Sequence, residues 1–280
     1  MTTIAIIGAG GKMGFRLSQN LMGTGYAVRH VEVSEAGRSR LKELGVEAIP
    51  QERALDGADA VVLAVPDNLI GRVAHQIEPD LRPGTMLIAL DAAAPYAGDM
   101  PKRDDLAYFV THPCHPPIFN DETDPEARAD YFGGVGKAKQ HIVCALMQGP
   151  DEAYATGEAS SRELFKPVMR SHRITVEQMA ILEPVLSETI GATCVTFLRE
   201  ATDEAVRRGV PHEAAMDFML GHLNIEIAIL FGAFPGGVFS DGAKKAIEKA
   251  KAKLFQPDWK RVFEPDEMME SVRMITRPEG

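Results

Sequence analysis

The chain is poor in cysteine: its 280 residues include three, Cys114, Cys144 and Cys194, far apart and without a CxxC pair. An odd, scattered set excludes a disulfide scaffold and suits reduced thiols in the cytoplasm. Positive charge is also short, with 30 Lys and Arg against 40 Asp and Glu for a net charge of −10. Such a field repels phosphate polyanions and anionic bilayers, so neither nucleic acid nor a membrane surface is expected as a partner. No apolar run reaches the roughly 18 residues that a membrane span needs. The greasiest window, Ile225 to Phe239, is broken by Glu226, Pro235 and three glycines and reads as a buried helix plus a turn. The opening MTTIAIIGAG lacks a basic flank and a long apolar stretch, so it reads as a first strand and not as a signal peptide. Glycine and proline follow no fibrous period, and 45% apolar with 25% charged residues is an ordinary globular composition.

What is present is alternation. Ile4–Ile7, Val28–Val33, Ala60–Val65, Met86–Leu90 and Tyr108–Thr111 are strand candidates, with helical patterns such as Lys12–Thr24 and Leu69–Ile77 between the early ones. That is the signature of an α/β fold with a doubly wound parallel sheet, expected over residues 1–150 as a Rossmann domain. Periodicity fades from about Gly149 to Ser171, and everything beyond reads helical, so residues 151–280 are expected to form an all-helical domain for substrate and dimerisation. Thr175 with Gln178 is a capping-box pair. From Val176 apolar residues recur at helical steps through Met179, Leu186, Ile190, Cys194, Phe197 and Ala201 until Gly209, with Pro184 either splitting or kinking the run. Further helices are expected over Pro211–Leu230, Asp241–Leu254 and Pro265–Ile275. So greasy a helical half is not expected to stand alone, which points to a homodimer.

Gly8-Ala-Gly-Gly-Lys-Met-Gly14 follows the first strand and opens a helix, where small residues admit a dinucleotide pyrophosphate to backbone N–H groups. Its spacing reads as GxG from Gly8 and Gly10 or as GxxGxxG from Gly8, Gly11 and Gly14; Lys12 and Met13 complete the expected cofactor loop. Glu32 ends the second strand, 18 residues beyond Gly14, where a carboxylate accepts ribose hydroxyls and repels a 2′-phosphate. NAD is the cofactor this favours over NADP, with Arg29 and Arg38 nearby softening the discrimination. Val65 and Pro66 are expected along the nicotinamide, while Asp67 either joins them or caps the helix that follows.

His112-Pro-Cys-His-Pro-Pro117 follows the fifth strand candidate at the carboxyl edge of the sheet, its prolines stiffening a loop that carries two imidazoles and a thiol. His112 reads as a substrate or metal residue or as a structural histidine, and His115 three residues on need not face the same point. Cys114 reads as a packed thiol in preference to a nucleophile. Glu183 stands on the apolar stripe where an aliphatic residue is expected, so its carboxylate must be paired, protonated or metal-bound. Glu188 lies on a second apolar face. His222 and Glu226, four apart, either converge on a metal or form an ordinary helix pair.

The glycine loop, the VPD segment and the long helix opening a helical second half resemble the 6-phosphogluconate and β-hydroxyacid dehydrogenase superfamily. Those enzymes carry a catalytic Lys and, a turn later, an Asn on the interdomain helix, whereas Val176 to Glu200 contains neither. The combination GAGGKMG, LAVPDN, THPCHPPIFND and ILEPVLSETIGAT looks most like the D-apionate oxidoisomerase family. The resemblance implies NAD-dependent oxidation of the 2-hydroxyl of a branched sugar acid, then migration of a hydroxymethyl group to give 3-oxo-isoapionate. An α-ketol shift of this kind calls for a divalent metal cation as Lewis acid. His112, Glu183 and His222 are the expected ligands, and His115 and Glu188 the expected catalytic residues. A simple NAD-dependent hydroxyacid dehydrogenase and a non-catalytic NAD-binding sensor are the competing readings.

Overall fold

The computed structural model describes residues 2–133 and 136–277. It forms two compact units, one running to Glu183 and rejoined from Met269, the other Pro184–Met268.

The first unit is built on a seven-stranded sheet. β1 (Thr3–Ile7), β2 (Ala27–Val31), β3 (Ala60–Leu63), β4 (Met86–Ala89), β5 (Ala107–Pro113), β6 (Gln140–Gln148) and β7 (Val168–Arg173) stand in the order β2-β1-β3-β4-β5-β6-β7. All neighbours are parallel except β5 and β6, whose antiparallel register pairs His112 with Val143 and Pro113 with Ile142. Successive residues of the inner strands enter two separate cores. Ala5, Ile7, Val61, Leu63, Leu87 and Ala89 pack on one face, and Ile4, Ile6, Val62, Met86 and Ile88 on the other. Burial on both faces is why these strands read as unbroken apolar runs.

Helices α1 (Lys12–Leu21) and α2 (Glu35–Glu43) follow β1 and β2; α3 (Gln51–Leu55) and α4 (Asp67–Ile77) flank β3; α5 (Ala93–Tyr96) follows β4; α6 (Pro125–Ala129) lies between β5 and β6; α7 (Glu152–Leu164) joins β6 to β7. The helix over Val176–Arg207 comprises α8 (Val176–Ala180), a π-helical stretch Ile181–Ala192 that contains Pro184, and α9 (Thr193–Arg207). Thr175 and Gln178 form the expected capping box at its start. The run closes at Gly209, whose φ of +100° suits glycine alone. α10 (His212–Leu230), α11 (Asp241–Leu254) and α12 (Pro265–Thr276) follow.

The first unit does not end near 150: α7 and β7 extend it, so the segment from Gly149 to Ser171 is ordered structure and residues 151–280 are not all helical. α7 escaped a helical pattern because its buried face includes Gly157, Ser160 and Ser161, small residues without an apolar stripe. A Cβ on Gly157 would lie 2.5 Å from the Phe109 ring, so that face must stay small. β7, an edge strand with exposed Met169, Arg170, His172 and Arg173, carries almost no hydrophobic signal. Finally, Ile225 to Phe239 is not a buried helix: Leu230 is 67% exposed and Phe231 81%. The Val176–Arg207 helix is itself long and apolar enough to cross a bilayer by length and composition, although little of it is buried.

Candidate active site

Parallel strands bring their carboxyl ends to one edge, where the glycine loop, Glu32, the VPD segment and His112 to His115 lie. Gly8 adopts a φ of +80° and, with Ala9, donates its N–H to the Val31 carbonyl at 3.0 Å. A Cβ on Gly14 would sit 2.1 Å from the Gly8 carbonyl oxygen, and one on Gly10 would sit 2.3 Å from that of Gly37. The loop is therefore packed backbone on backbone, and Gly8, Gly10 and Gly14 are the glycines this packing demands, with Gly11 as the N-cap of α1. No side chain caps that helix, so its first N–H groups, beginning at Lys12, are available to an anion. Met13 is half-buried against the core beneath.

Glu32 lies just beyond β2 and is buried. Its Oε2 accepts from the Gly10 N–H at 2.9 Å, while Oε1 accepts from the Ser34 N–H at 2.8 Å and the Ser34 hydroxyl at 2.9 Å. Burial pushes its pKa up, but the hydrogen bonds from Ser34, Gly10 and Val33 outweigh it and hold the carboxyl below the usual glutamate range. Of the two arginines expected nearby, Arg29 is committed to the carbonyls of Arg53, Ala54 and Asp56, and Arg38 donates to the Glu32 carbonyl at 2.8 Å.

The VPD segment abuts the glycine loop, since a Cβ on Gly8 would meet the Ala64 carbonyl at 2.5 Å and the Val65 side chain at 3.2 Å. Pro66 occupies the N-cap of α4 and Asp67 its first helical position, so Asp67 is not the capping residue. At that position a carboxylate complements the helix dipole.

His112 is the penultimate residue of β5, not a loop residue. Its Nδ1 lies 2.9 Å from the Leu90 carbonyl, which makes Nδ1–H the donor and leaves a lone pair on Nε2. Burial lowers its pKa against the opposing pull of Asp91 and the Leu90 bond, and His115 lowers it further. Asp91, buried two residues beyond β4, accepts the Ala93 N–H at 2.6 Å. His115 meets His112 edge to face with 6.1 Å between ring centroids, so the two imidazoles do share one locality. His115 takes a φ of +60°, its Nδ1 lies 2.8 Å from the Phe132 carbonyl, and its ring lies 4.7 Å from that of Phe132. Lys12 and Arg16 stand over the same Phe132 ring at 4.7 Å and 4.0 Å. Cys114 is exposed and so is not the packed thiol expected, because its side chain lies beyond the end of β5; its pKa is pushed up by the surrounding protein and Cys144, away from thiolate chemistry.

Glu183 is half-buried, less enclosed than its stripe position implied. The α-helical period fails here because the chain turns π-helical at Ile181, and the Thr189 hydroxyl donates to the Pro184 carbonyl five residues back at 2.8 Å. In this geometry the residue five positions on returns to the same side of the helix, so Glu188 does not lie on a separate face from Glu183. Glu188 is exposed. His222, in the second unit, is exposed, stacked on Phe218 at 3.9 Å, and has its Nδ1 2.8 Å from the Phe218 carbonyl; Glu226 is exposed as well. Among the described residues no group of three or more His, Cys, Asp or Glu side chains is gathered to hold a metal. Arg16, Phe132, Ser34, Gly37 and Asp91 were not anticipated. Asp91 alone carried a signal, as an acid closing an apolar strand.

Comparison with known proteins agrees with this arrangement. The family model for the C-terminal domain of decarboxylating phosphogluconate dehydrogenase matches residues 120–276, and that for coenzyme F420-dependent NADP oxidoreductase matches residues 3–94. A D-apionate oxidoisomerase of Cupriavidus necator is 61% identical over 98% of this chain and 99% of its own. One of Rhizobium rhizogenes is 59% identical over 99% of this chain and 100% of its own. A crystal structure described as a semialdehyde dehydrogenase NAD-binding protein of Cupriavidus necator, in complex with calcium and NAD, has a TM-score of 0.96 at 60% identity, covering 99% of this chain and 100% of that one. The chain belongs to the D-apionate oxidoisomerase family, within the 6-phosphogluconate and β-hydroxyacid dehydrogenase superfamily.

Proposed function

We propose that this chain is a cytoplasmic, NAD-dependent oxidoisomerase that converts D-apionate to 3-oxo-isoapionate. The observation that carries the reading is identity of 61% across 98% of the chain with a relative of that name. NAD loses nothing at Glu32, whose carboxylate stays ionised and accepting, whereas the 2′-phosphate of NADP meets a fixed negative charge. The glycine loop and Lys12 receive the pyrophosphate, and Val65, Pro66 and Asp67 flank the nicotinamide. Hydride leaves the C2 carbon for NAD as the C2 hydroxyl gives up its proton, producing a ketone. The hydroxymethyl group then moves with its bonding pair from C3 to C2; the C3 hydroxyl loses its proton as C3 becomes the new ketone, and the old carbonyl oxygen takes one up. His115 and Glu188 carry these protons.

A divalent cation, when bound, would polarise the ketone and stabilise the alkoxide. Two side chains of the first unit have the chemistry to contribute to holding one. His112 is held neutral with Nε2 unprotonated, and Glu183 provides a half-buried carboxylate.

Exposed Phe218, Leu220, Leu230 and Phe231 of the second unit form the contact with an identical chain, which accounts for apolar side chains that a single copy leaves in water. The reading is tested by incubating the purified protein with D-apionate and NAD. One NADH per D-apionate consumed is expected. No reduction of NAD by D-apionate at any enzyme concentration refutes it.

A further inference from the structure

We propose that Gly37 and Ser34 are positioning residues that set cofactor selectivity by fixing the Glu32 carboxylate against the glycine loop. The inference rests on Glu32 being the group that discriminates NAD from NADP.

A carboxylate has about four acceptor positions. Three are filled from within the protein, by the Gly10 N–H on Oε2 and by the Ser34 N–H and hydroxyl on Oε1. The ribose thereby meets a carboxylate whose orientation is already set from within the protein. Ser34 is fixed in turn: it is the N-cap of α2, and its hydroxyl accepts the Gly37 N–H at 3.0 Å while donating to Glu32. Gly37 closes the arrangement from the other side. Its backbone lies so near the glycine loop that a Cβ on Gly10 would fall within 2.5 Å of the Gly37 carbonyl carbon and Cα. A Cβ on Gly37 would fall 2.5 Å from Glu32 Cδ, and 2.7 Å from both Cγ and Oε2.

The three nearest atoms in that conflict all belong to the Glu32 side chain. Alanine at position 37 therefore lets the chain fold and drives Glu32 off Gly10. Beside Glu32 opens a cavity of about 460 Å³ that is also lined by Arg38 and Lys42. With the carboxylate displaced, those two cations face the place it guarded, and a 2′-phosphate becomes acceptable.

The test is fluorescence titration of the full-length protein with NADH and NADPH, which needs no sugar acid, together with melting temperatures. Wild type, Glu32→Gln, Gly37→Ala, Glu32→Gln/Gly37→Ala, Ser34→Ala and Ser34→Thr are compared. The ratio of NADPH to NADH Kd should fall at least about tenfold in Glu32→Gln and in Gly37→Ala, with no further fall in the double variant. Ser34→Ala should lower the ratio about threefold, and Ser34→Thr, which keeps the hydroxyl, should restore it. If Glu32→Gln shifts the ratio while Gly37→Ala and Ser34→Ala keep the wild-type value, the positioning proposal is overturned and the Glu32 reading stands. If Glu32→Gln leaves the ratio unchanged, both fall. Should Gly37→Ala fail to fold, the Ser34 pair decides alone.

Discussion

His112 Nδ1 lies 2.9 Å from the Leu90 carbonyl oxygen, a bond that joins the ends of two adjacent parallel strands and fixes which imidazole nitrogen carries the proton. Replacing His112 by Gln removes the Nε2 lone pair from that edge. Turnover should fall at least about a hundredfold, while Kd for NADH changes less than about threefold, because the glycine loop lies elsewhere along the edge. Turnover near wild type contradicts the assignment of His112 to the site.

Glu32 predicts a pH dependence. Its folded pKa lies below the unfolded value, so the folded protein keeps this charge at acidities where the unfolded chain has taken a proton. The resulting stabilisation is complete above the ordinary glutamate pKa and disappears as pH falls through the folded value. The melting-temperature gap between wild type and Glu32→Gln should be largest near pH 7 and shrink toward about pH 3. A gap that is constant or widens on acidification contradicts the hydrogen-bond network described.

The glycine loop and its companions were legible because cofactor loops demand glycine at fixed places and central parallel strands are apolar on both faces. Ile4–Ile7 and Met86–Leu90 announced themselves for that reason. The pocket around His115 was not legible: Phe132 comes from a loop 17 residues away in sequence, and Lys12 and Arg16 from a helix that meets it only in the fold. Glu183 and Glu188 were separated by a 3.6-residue period that the π-helical stretch does not obey. The expected division at residue 150 failed on α7, whose small buried residues answer to Phe109 and not to any pattern along the chain.

Gly14 provides a packing test. Its missing Cβ leaves the Gly8 carbonyl 2.1 Å from where that atom would be, with backbone on both sides and nothing flexible to yield. Gly14→Ala should cost about 1–3 kcal/mol of stability and weaken NADH binding more than tenfold. Thermal melts and titration together check this; wild-type values in both would refute the packing argument.

The apolar surface of the second unit predicts self-association. Sedimentation should give a dimer at micromolar concentration, and Phe231→Asp, at a side chain 81% exposed, should shift it toward monomer. A wild-type monomer at every concentration excludes the homodimer.

Glu183 and the cation are tested by measuring activity, melting temperature and metal content on the same samples. Glu183→Gln should keep the fold and NADH affinity but lose bound metal and rearranged product, and exhaustive chelation of wild type should do so reversibly. Full activity in a demonstrably metal-free enzyme removes the cation from the account.

The most direct test of the central claim follows the carbon skeleton. D-apionate labelled with ¹³C in its hydroxymethyl carbons is incubated with the protein and NAD, and the product is read by NMR. One labelled hydroxymethyl carbon should be bonded to C2 and the other should lie beside a new ketone at C3, as in 3-oxo-isoapionate. A 2-keto acid with both labelled carbons still on C3 would show a simple dehydrogenase and contradict it.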